Sequence, residues 1–522
     1  AETIGLFTGI FLLIFFNSVR LIYMVRPAEL LKGGQIGEKM PKTKWPLAVL
    51  GIVTLAGGYI LALKADNVMT GLNTFFVAVL LVIVGTFSLF TAGSIAFLKL
   101  LQKNKRYYYK TNHFISVSGM IYRMKQNAAS LSLICIMSTG VLLLISSTTS
   151  LYVGQEHSLY MHYPKEFRIS LSLGTEPDDS AQFEKELKEI GTYAENYLKD
   201  NKIDVKNEES QTVIDVAALQ KDGNVQITSS RIYDSEDFEN LCMLQAVTLE
   251  DYNRETKKNE TLKDGEALVF LEDVPLQQDT FSVNNMKWKV KHLPEDTRMG
   301  DTGLEFYANP VYRIVVKDFA QLQDLWKINK EVYRENASRV KYEYSFDVDL
   351  PEEKIQKLTS SLHAYFGEQK DAPHAFVYGI ENRTEGRVEF YSLYGGLFFL
   401  GIFLGLLFVM ATVLIIYYKQ ISEGYEDKER FAILKKIGME RGEINASIHS
   451  QVLMVFFLPL VLAGIHSCFA FHLVKEILMG GFGLWDVKLL VLSAVLTFLA
   501  FAVFYVIVYL LTAREYYKIV SE

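Results

Sequence analysis

Cysteine is nearly absent, with three in 522 residues. Cys135 and Cys468 lie in apolar runs and Cys242 stands alone in the central block, so no disulfide closes within that block. A free thiol in such places behaves as a small hydrophobe. The signatures of catalysis are missing too. No GxxxxGK[ST] phosphate loop occurs, and the nearest Gly-Lys cluster, GGQIGEKM at 33–40, lacks the spacing to cradle a triphosphate. The nine histidines form neither HExxH nor a Cys/His metal pattern, His157 and His162 are isolated, and no GxSxG elbow is present. A chain without these constellations is expected to be no enzyme and to hold no metal or cofactor of its own. No Asp or Glu falls in the middle of an apolar run, which weighs against a proton- or sodium-driven carrier. The ionisable residues away from the ends of those runs include Arg20, near an inner edge, and His466 and His472; His466 is expected to be a helix-interface histidine rather than a relay.

Long apolar runs are abundant. Half of the residues are hydrophobic, yet 22% are charged, a mixture that fits a membrane protein with a large water-exposed domain. Seven runs reach the roughly 20 residues needed to span: 3–24, 46–64, 72–98, 128–152, 391–418, 447–474 and 485–511. Their connections alternate in basic charge. Segments 20–45, 99–127 and 419–446 are rich in Lys and Arg, whereas the short intervening connections hold only Lys64, Lys475 and Lys488. The basic set is therefore cytoplasmic, as is the C-terminus, and residues 153–390 face outward. That block carries 29 Lys and Arg against 46 Asp and Glu, the remainder 24 against 14. So acidic a domain is a poor partner for nucleic acid. Because the chain opens directly on a span, without Met or a basic leader, further spans are expected to precede it.

The outer block has its own elements. EFRISLSL (166–173), VYRIVV (311–316) and KYEYSFDV (341–348) alternate as strands do. SAQFEKELKEIGTYAENYLKD and PEEKIQKLTSSLHAYFG have helical spacing, and strand followed by helix suggests a repeated β-α unit. The fold class expected is a mostly α-helical polytopic membrane protein with a large extracellular α+β domain.

Two amphipathic segments face the cytoplasm. In EDKERFAILKKIGMERGE (426–443) the acids come first and the bases last, the order a helix dipole favours, and Gly438 is a plausible stop. Phe431, Ile433, Leu434 and Ile437 share a face, so a short helix over 426–438 is expected to dock on a partner, with Glu429 and Arg430 setting register. In SGMIYRMKQNAASL (118–131), Ile121 and Met124 share an apolar face, and Arg123 and Lys125 are expected among anionic headgroups.

The stretch KERFAILKKIGMERGEI (428–444), set between two spans, resembles the coupling segment of FtsX-like, MacB-type ABC transporter permeases. Together with KNKRYYYKTNHFISVSGMIYRMKQNAASLSLICI (103–136), YYKQISEGYEDKERFAILKKIGM (417–439) and FFLPLVLAGIH (456–466), it resembles the bacitracin-resistance, or Bce-type, permeases. The resemblance implies ten spans in the family plan. On that plan residues 1–24 end a first FtsX-like half, 25–45 link it on the cytoplasmic side, and 46–101 supply two linking spans. The second half then comprises 102–127 on the cytoplasmic side, the span 128–152, the extracellular domain 153–390 and the three-helix unit 391–522 with its coupling helix. It also implies a cytoplasmic ABC ATPase, two copies per permease, which binds the ATP and Mg, and a histidine kinase in the same membrane. The ligand implied is an antimicrobial peptide such as bacitracin, or its lipid-pyrophosphate target, engaged outside. Residues Glu429, Arg430, Phe431, Ile433, Leu434, Ile437 and Gly438 would receive force from the ATPase. Rival readings are an FtsX-like scaffold that controls a kinase or a wall hydrolase without transport, and a permease that extracts lipids or lipoproteins.

Overall fold

The computed structural model describes residues 2–24, 44–65, 68–108, 111–221, 223–228, 240–271, 274–294, 297, 310–368, 376–436 and 441–521. Helix α1 (Glu2–Met24) is followed by a hairpin of α2 (Trp45–Leu63) and α3 (Val68–Ser88). A π turn at Leu89–Gly93 continues α3 into α4 (Ser94–Lys103), and α5 (Lys105–Tyr108) follows. Then α6 (Thr111–His162) rises into the outer domain, α11 (Arg383–Lys436) returns from it, and α12 (Arg441–Phe482) and α13 (Val487–Ser521) complete the bundle. Six described stretches are long and apolar enough to cross a membrane: Trp45–Leu63, Thr70–Lys103, Val117–His162, Arg383–Lys428, Phe456–Phe482 and Val487–Val520. The seventh expected span, 3–24, falls on α1, whose described apolar stretch, Phe7–Arg20, is shorter than those six.

Two helices are far longer than a bilayer requires. α6 has 52 residues and α11 has 54, so each is about 80 Å long, against a hydrocarbon layer of roughly 30 Å. The short helix expected over 426–438 is therefore not a separate element; its start is the inner end of α11. Nothing between Tyr417 and Glu426 breaks the helix. No proline occurs there, and Gly424, which costs only about 1 kcal/mol in a helix, packs beside Tyr516 and Ile519. The segment 118–131 is likewise part of α6 rather than an independent interfacial helix.

The outer domain lies between α6 and α11. Its sheet contains β1 (Phe167–Leu173), β2 (Val205–Lys221), β3 (Asn224–Gln226), β4 (Leu241–Thr248), β5 (Glu266–Leu271), β6 (Val274–Pro275), β7 (Thr280–Val283), β8 (Met286–Val290), β9 (Val311–Val316), β10 (Lys341–Val348) and β11 (Phe376–Asn382). The strand order is β11-β1-β10-β2-β3-β7-β8-β5-β9-β4, and β4 pairs back onto β2 to close a ring of seven strands. The 17-residue β2 is the bridge: Val205–Val213 pairs with β10 and Val213–Leu219 with β4. A bulge opposite Ser345 and Asp347 bends it, with Asn207 at φ 51°. The strands expected over 166–173, 311–316 and 341–348 are β1, β9 and β10.

Helices α7 (Ser180–Asp200), α8 (Leu249–Thr256), α9 (Phe319–Tyr333) and α10 (Glu352–Glu368) complete the domain. Asp179 caps α7 by accepting from the Gln182 amide at 2.8 Å. Phe183, Leu187, Ile190, Ala194 and Leu198 recur at helical spacing and are buried on one sheet face with Ile169, Ile214, Leu244 and Ile314. Phe167 stacks on Phe346 at 5.2 Å in the same core. These features define a multi-pass membrane protein with an extracellular α+β domain set between two long helices.

Candidate functional site

The long pair forms a stalk, held at three levels. At the outer end α11 grows directly out of β11, which pairs antiparallel with β1 from Phe167↔Asn382 to Leu173↔Phe376. Asn382 caps the helix by accepting from the Glu385 amide at 2.7 Å. The next residue, Arg383, donates to the carbonyls of Tyr163 at 2.8 Å and Pro164 at 2.5 Å. Its guanidinium stands 3.8 Å from both Glu166 and Asp347 and 4.5 Å from the Tyr160 ring centre. Just below, Tyr391 donates to Glu156 at 2.6 Å.

Midway the helices meet through glycine. A side chain at Gly401 would strike Thr148, and one at Gly405 would strike Ile145 at 2.9 Å, so the backbones approach as a small-xxx-small pair allows. Tyr152 stacks on Phe398 at 4.6 Å just above.

At the inner end the contact is ionic. Arg123 donates to Asp427 and lies 4.0 Å from Glu423, while Asn127 donates to Glu423. Tyr516 of α13 donates to Asp427 at 2.7 Å and accepts from Arg123 at 3.3 Å. Every member is buried: Arg123 is 3% exposed, Asn127 1%, Glu423 8%, Asp427 4% and Tyr516 0%. Arg123 is therefore not among lipid headgroups as its segment's pattern implied. The pattern could not show that Glu423 and Asp427, some 300 residues away, face it. Of its neighbours, Ile121 and Met124 are buried in the bundle core and Lys125 is exposed. Thirty-nine residues of α6 separate Arg123 from His162, about 58 Å of helix, so the two joints lie on opposite sides of the hydrocarbon layer.

The residues singled out for coupling follow directly on this joint. The backbone of Glu429, Arg430, Phe431, Ile433 and Leu434 continues α11; their side chains lie outside the described residues, as Ile437 and Gly438 do altogether. Sequence reasoning took Asp427 only as a first-turn acid of the short helix and passed over Glu423, because both sit just below the apolar run. A signal was available in the spacing Gln420, Glu423, Asp427, polar residues at i, i+3 and i+7 on one helix face.

Two further features bear on function. A cavity of about 350 Å³ opens where the α6–β1 link meets the sheet, lined by Tyr163, Lys165, Arg168, Arg254, Glu343 and Tyr344 among others. Burial, reinforced by the charge of Asp215, holds the Glu343 carboxyl above the usual glutamate range. The α2–α3 hairpin docks on α12 through His466, which is 3% exposed and lies 2.6 Å from the Tyr59 hydroxyl and 2.9 Å from that of Thr86. This is the interface histidine expected from the sequence. Among the described residues no group of three or more His, Cys, Asp or Glu side chains is placed to hold a metal.

Residues 398–520 match the FtsX-like permease C-terminal family. The chain is 26% identical over 477 residues to the ABC transporter permease protein YxdM of Bacillus subtilis, a match covering 88% of this chain and 68% of that protein. It is 25% identical over 438 residues to the bacitracin export permease protein BceB of Halalkalibacterium halodurans, covering 81% of this chain and 61% of that one. With BceB of Bacillus subtilis the identity is 23% over 484 residues, covering 90% and 69%. The chain is thus similar to FtsX-like permeases over its last quarter and to ABC transporter permeases over most of its length.

Proposed function

We propose that this chain transmits force from a cytoplasmic ABC ATPase to its extracellular domain and thereby protects the cell from antimicrobial peptides that act on the cell wall. The observation that carries the reading is the unbroken α11, which joins the segment expected to meet the ATPase to the outer sheet. Interior apolar packing and the ion joint tie α6 and α13 to it. In this reading Glu429, Arg430, Phe431, Ile433, Leu434, Ile437 and Gly438 form the surface pressed by the ATPase, two copies of which serve the full permease. The outer domain engages the peptide, of which bacitracin is the first to try, or the lipid pyrophosphate that the peptide seizes. Extracellular engagement fits a stalk whose helices are packed against each other, with cargo never passing between them. A histidine kinase of the same membrane is the proposed second partner, read out through the α2–α3 hairpin.

The test is bacitracin survival of a sensitive strain that expresses the full-length protein with its ATPase, beside the variant Leu434→Asp. The expected outcome is protection by the parent and its loss, at equal membrane levels, in the variant. Protection by both removes the coupling role. No protection from the parent, with resistance genes still induced, favours the scaffold that signals without transport.

A further inference from the structure

We infer that the inner joint is a two-position register, in which α6 steps outward along α11 by one helical turn and Arg123 passes from Asp427 to Glu423. What drives the step rests on the force-transmission reading above; the step itself rests on the joint. α6 runs outward and α11 inward, so Arg123 and Asn127, four apart on one helix, face Asp427 and Glu423, four apart on the other. One further turn outward on the same face of α11 stands Gln420. It is 4% exposed, and neither its amide nitrogen nor its oxygen has a hydrogen-bond partner among the described residues. Arg123 Nη1 and Asn127 Oδ1 also lack one. Buried polar groups are nearly always paired, so four orphan atoms in one joint call for an explanation.

A step of one turn, about 5.4 Å, supplies it. Arg123 then meets Glu423, from which Nη1 is already 4.0 Å away, and Asn127 meets the waiting amide of Gln420. Asp427 keeps the Tyr516 hydroxyl as donor. One guanidinium thus serves two carboxylates in turn, which accounts for a buried cluster holding two acids and one base. Packed helices are known to ratchet by single turns, because interlocked side chains have discrete fits. The glycines share the period: Ile145, now at Gly405, arrives at the level of Gly401.

The outer end converts the step into a signal. α11 is continuous with β11, whereas α6 reaches β1 through residues 163–166. Relative movement therefore falls on that link. Its carbonyls are held by Arg383, and Tyr163, Pro164 and Lys165 line the outer cavity. A one-turn step inside reshapes the cavity outside.

Spin labels at Val153 and Tyr418, 59% and 67% exposed on the two helices, report the step in the full-length protein in lipid nanodiscs. In Asp427→Asn without nucleotide or ATPase, Arg123 favours Glu423 and the distance lengthens by about 5 Å, the rise of one turn. In Glu423→Gln with the ATPase trapped on ATP, the distance stays at its resting value. An unchanged distance in Asp427→Asn, or full lengthening in Glu423→Gln, overturns the register. Should Asp427→Asn fail to fold, Gln420→Leu leaves the resting contacts intact. It is expected to populate the longer distance less than wild type on ATP trapping, and equal populations overturn the proposal. Because the Asp427→Asn reading needs neither nucleotide nor partner, its result stands apart from that of the coupling test.

Discussion

At the outer end of the stalk Arg383 sits among two backbone carbonyls and two carboxylates beside seven registered strand pairs, whereas at the inner end Arg123 sits among side chains alone. The difference is one of freedom. Backbone carbonyls and a β ladder move only if the chain itself moves, and a register slip would turn every side chain of β1 to the wrong face. Side-chain partners spaced one turn apart can be exchanged without unfolding anything. The outer joint is thus built to hold the domain on α11, and the inner joint to choose between fits. Removing a partner is costly at both ends, since a buried charge left alone costs several kcal/mol.

The comparison breaks most visibly where the outer joint rests on packing. Phe167 is fully buried at the start of β1 and stacked on Phe346. Phe167→Ala is expected to cost about 3–5 kcal/mol, seen as a fall in the melting midpoint of the outer domain in the full-length protein and as faster proteolysis there. The helical bundle should melt unchanged. An equal shift in both would show the two regions to be one cooperative unit.

An intermediate effect is expected between the joints. Gly401→Val forces a branched side chain against Thr148, a cost of about 1–3 kcal/mol for an overpacked contact. Cross-linking of cysteines placed at Tyr152 and Phe398 should fall severalfold, while the outer domain keeps its melting midpoint.

The smallest effect sharpens the electrostatic side. Glu343 is held above the usual carboxylate range by burial and by Asp215. With the folded value above the unfolded one, the native state binds the extra proton, so stability is greatest at acid pH and falls as pH rises through the raised value. Glu343→Gln should flatten that fall and raise the outer domain's midpoint slightly at pH 7. A steeper pH dependence in the variant would assign the titration to another group.

Much of this was legible from the chain. Apolar runs near 20 residues located the spans because a bilayer's thickness translates directly into residue count. Alternation located β1 and β10, since one face of each packs under helices, whereas β9, also located, is buried on both faces. Helical spacing located α7 at 180–200. The inner joint was only half visible. Arg123 stands out in SGMIYRMKQ, but a basic residue near an inner membrane edge has the same local pattern whether it meets a headgroup or a carboxylate.

Composition and periodicity by themselves determined that the chain is a multi-pass membrane protein with an acidic outer α+β domain, because burial in lipid and burial under helices each impose a local period. Tertiary structure alone decided that 118–131 and 426–436 are the inner ends of two 80-Å-scale helices, and that Arg123 faces Asp427 and Glu423. It also decided that Gln420, without a hydrogen-bond partner among the described residues, stands one turn away. Such pairings join residues about 300 positions apart, and no local period records which helix face will meet which.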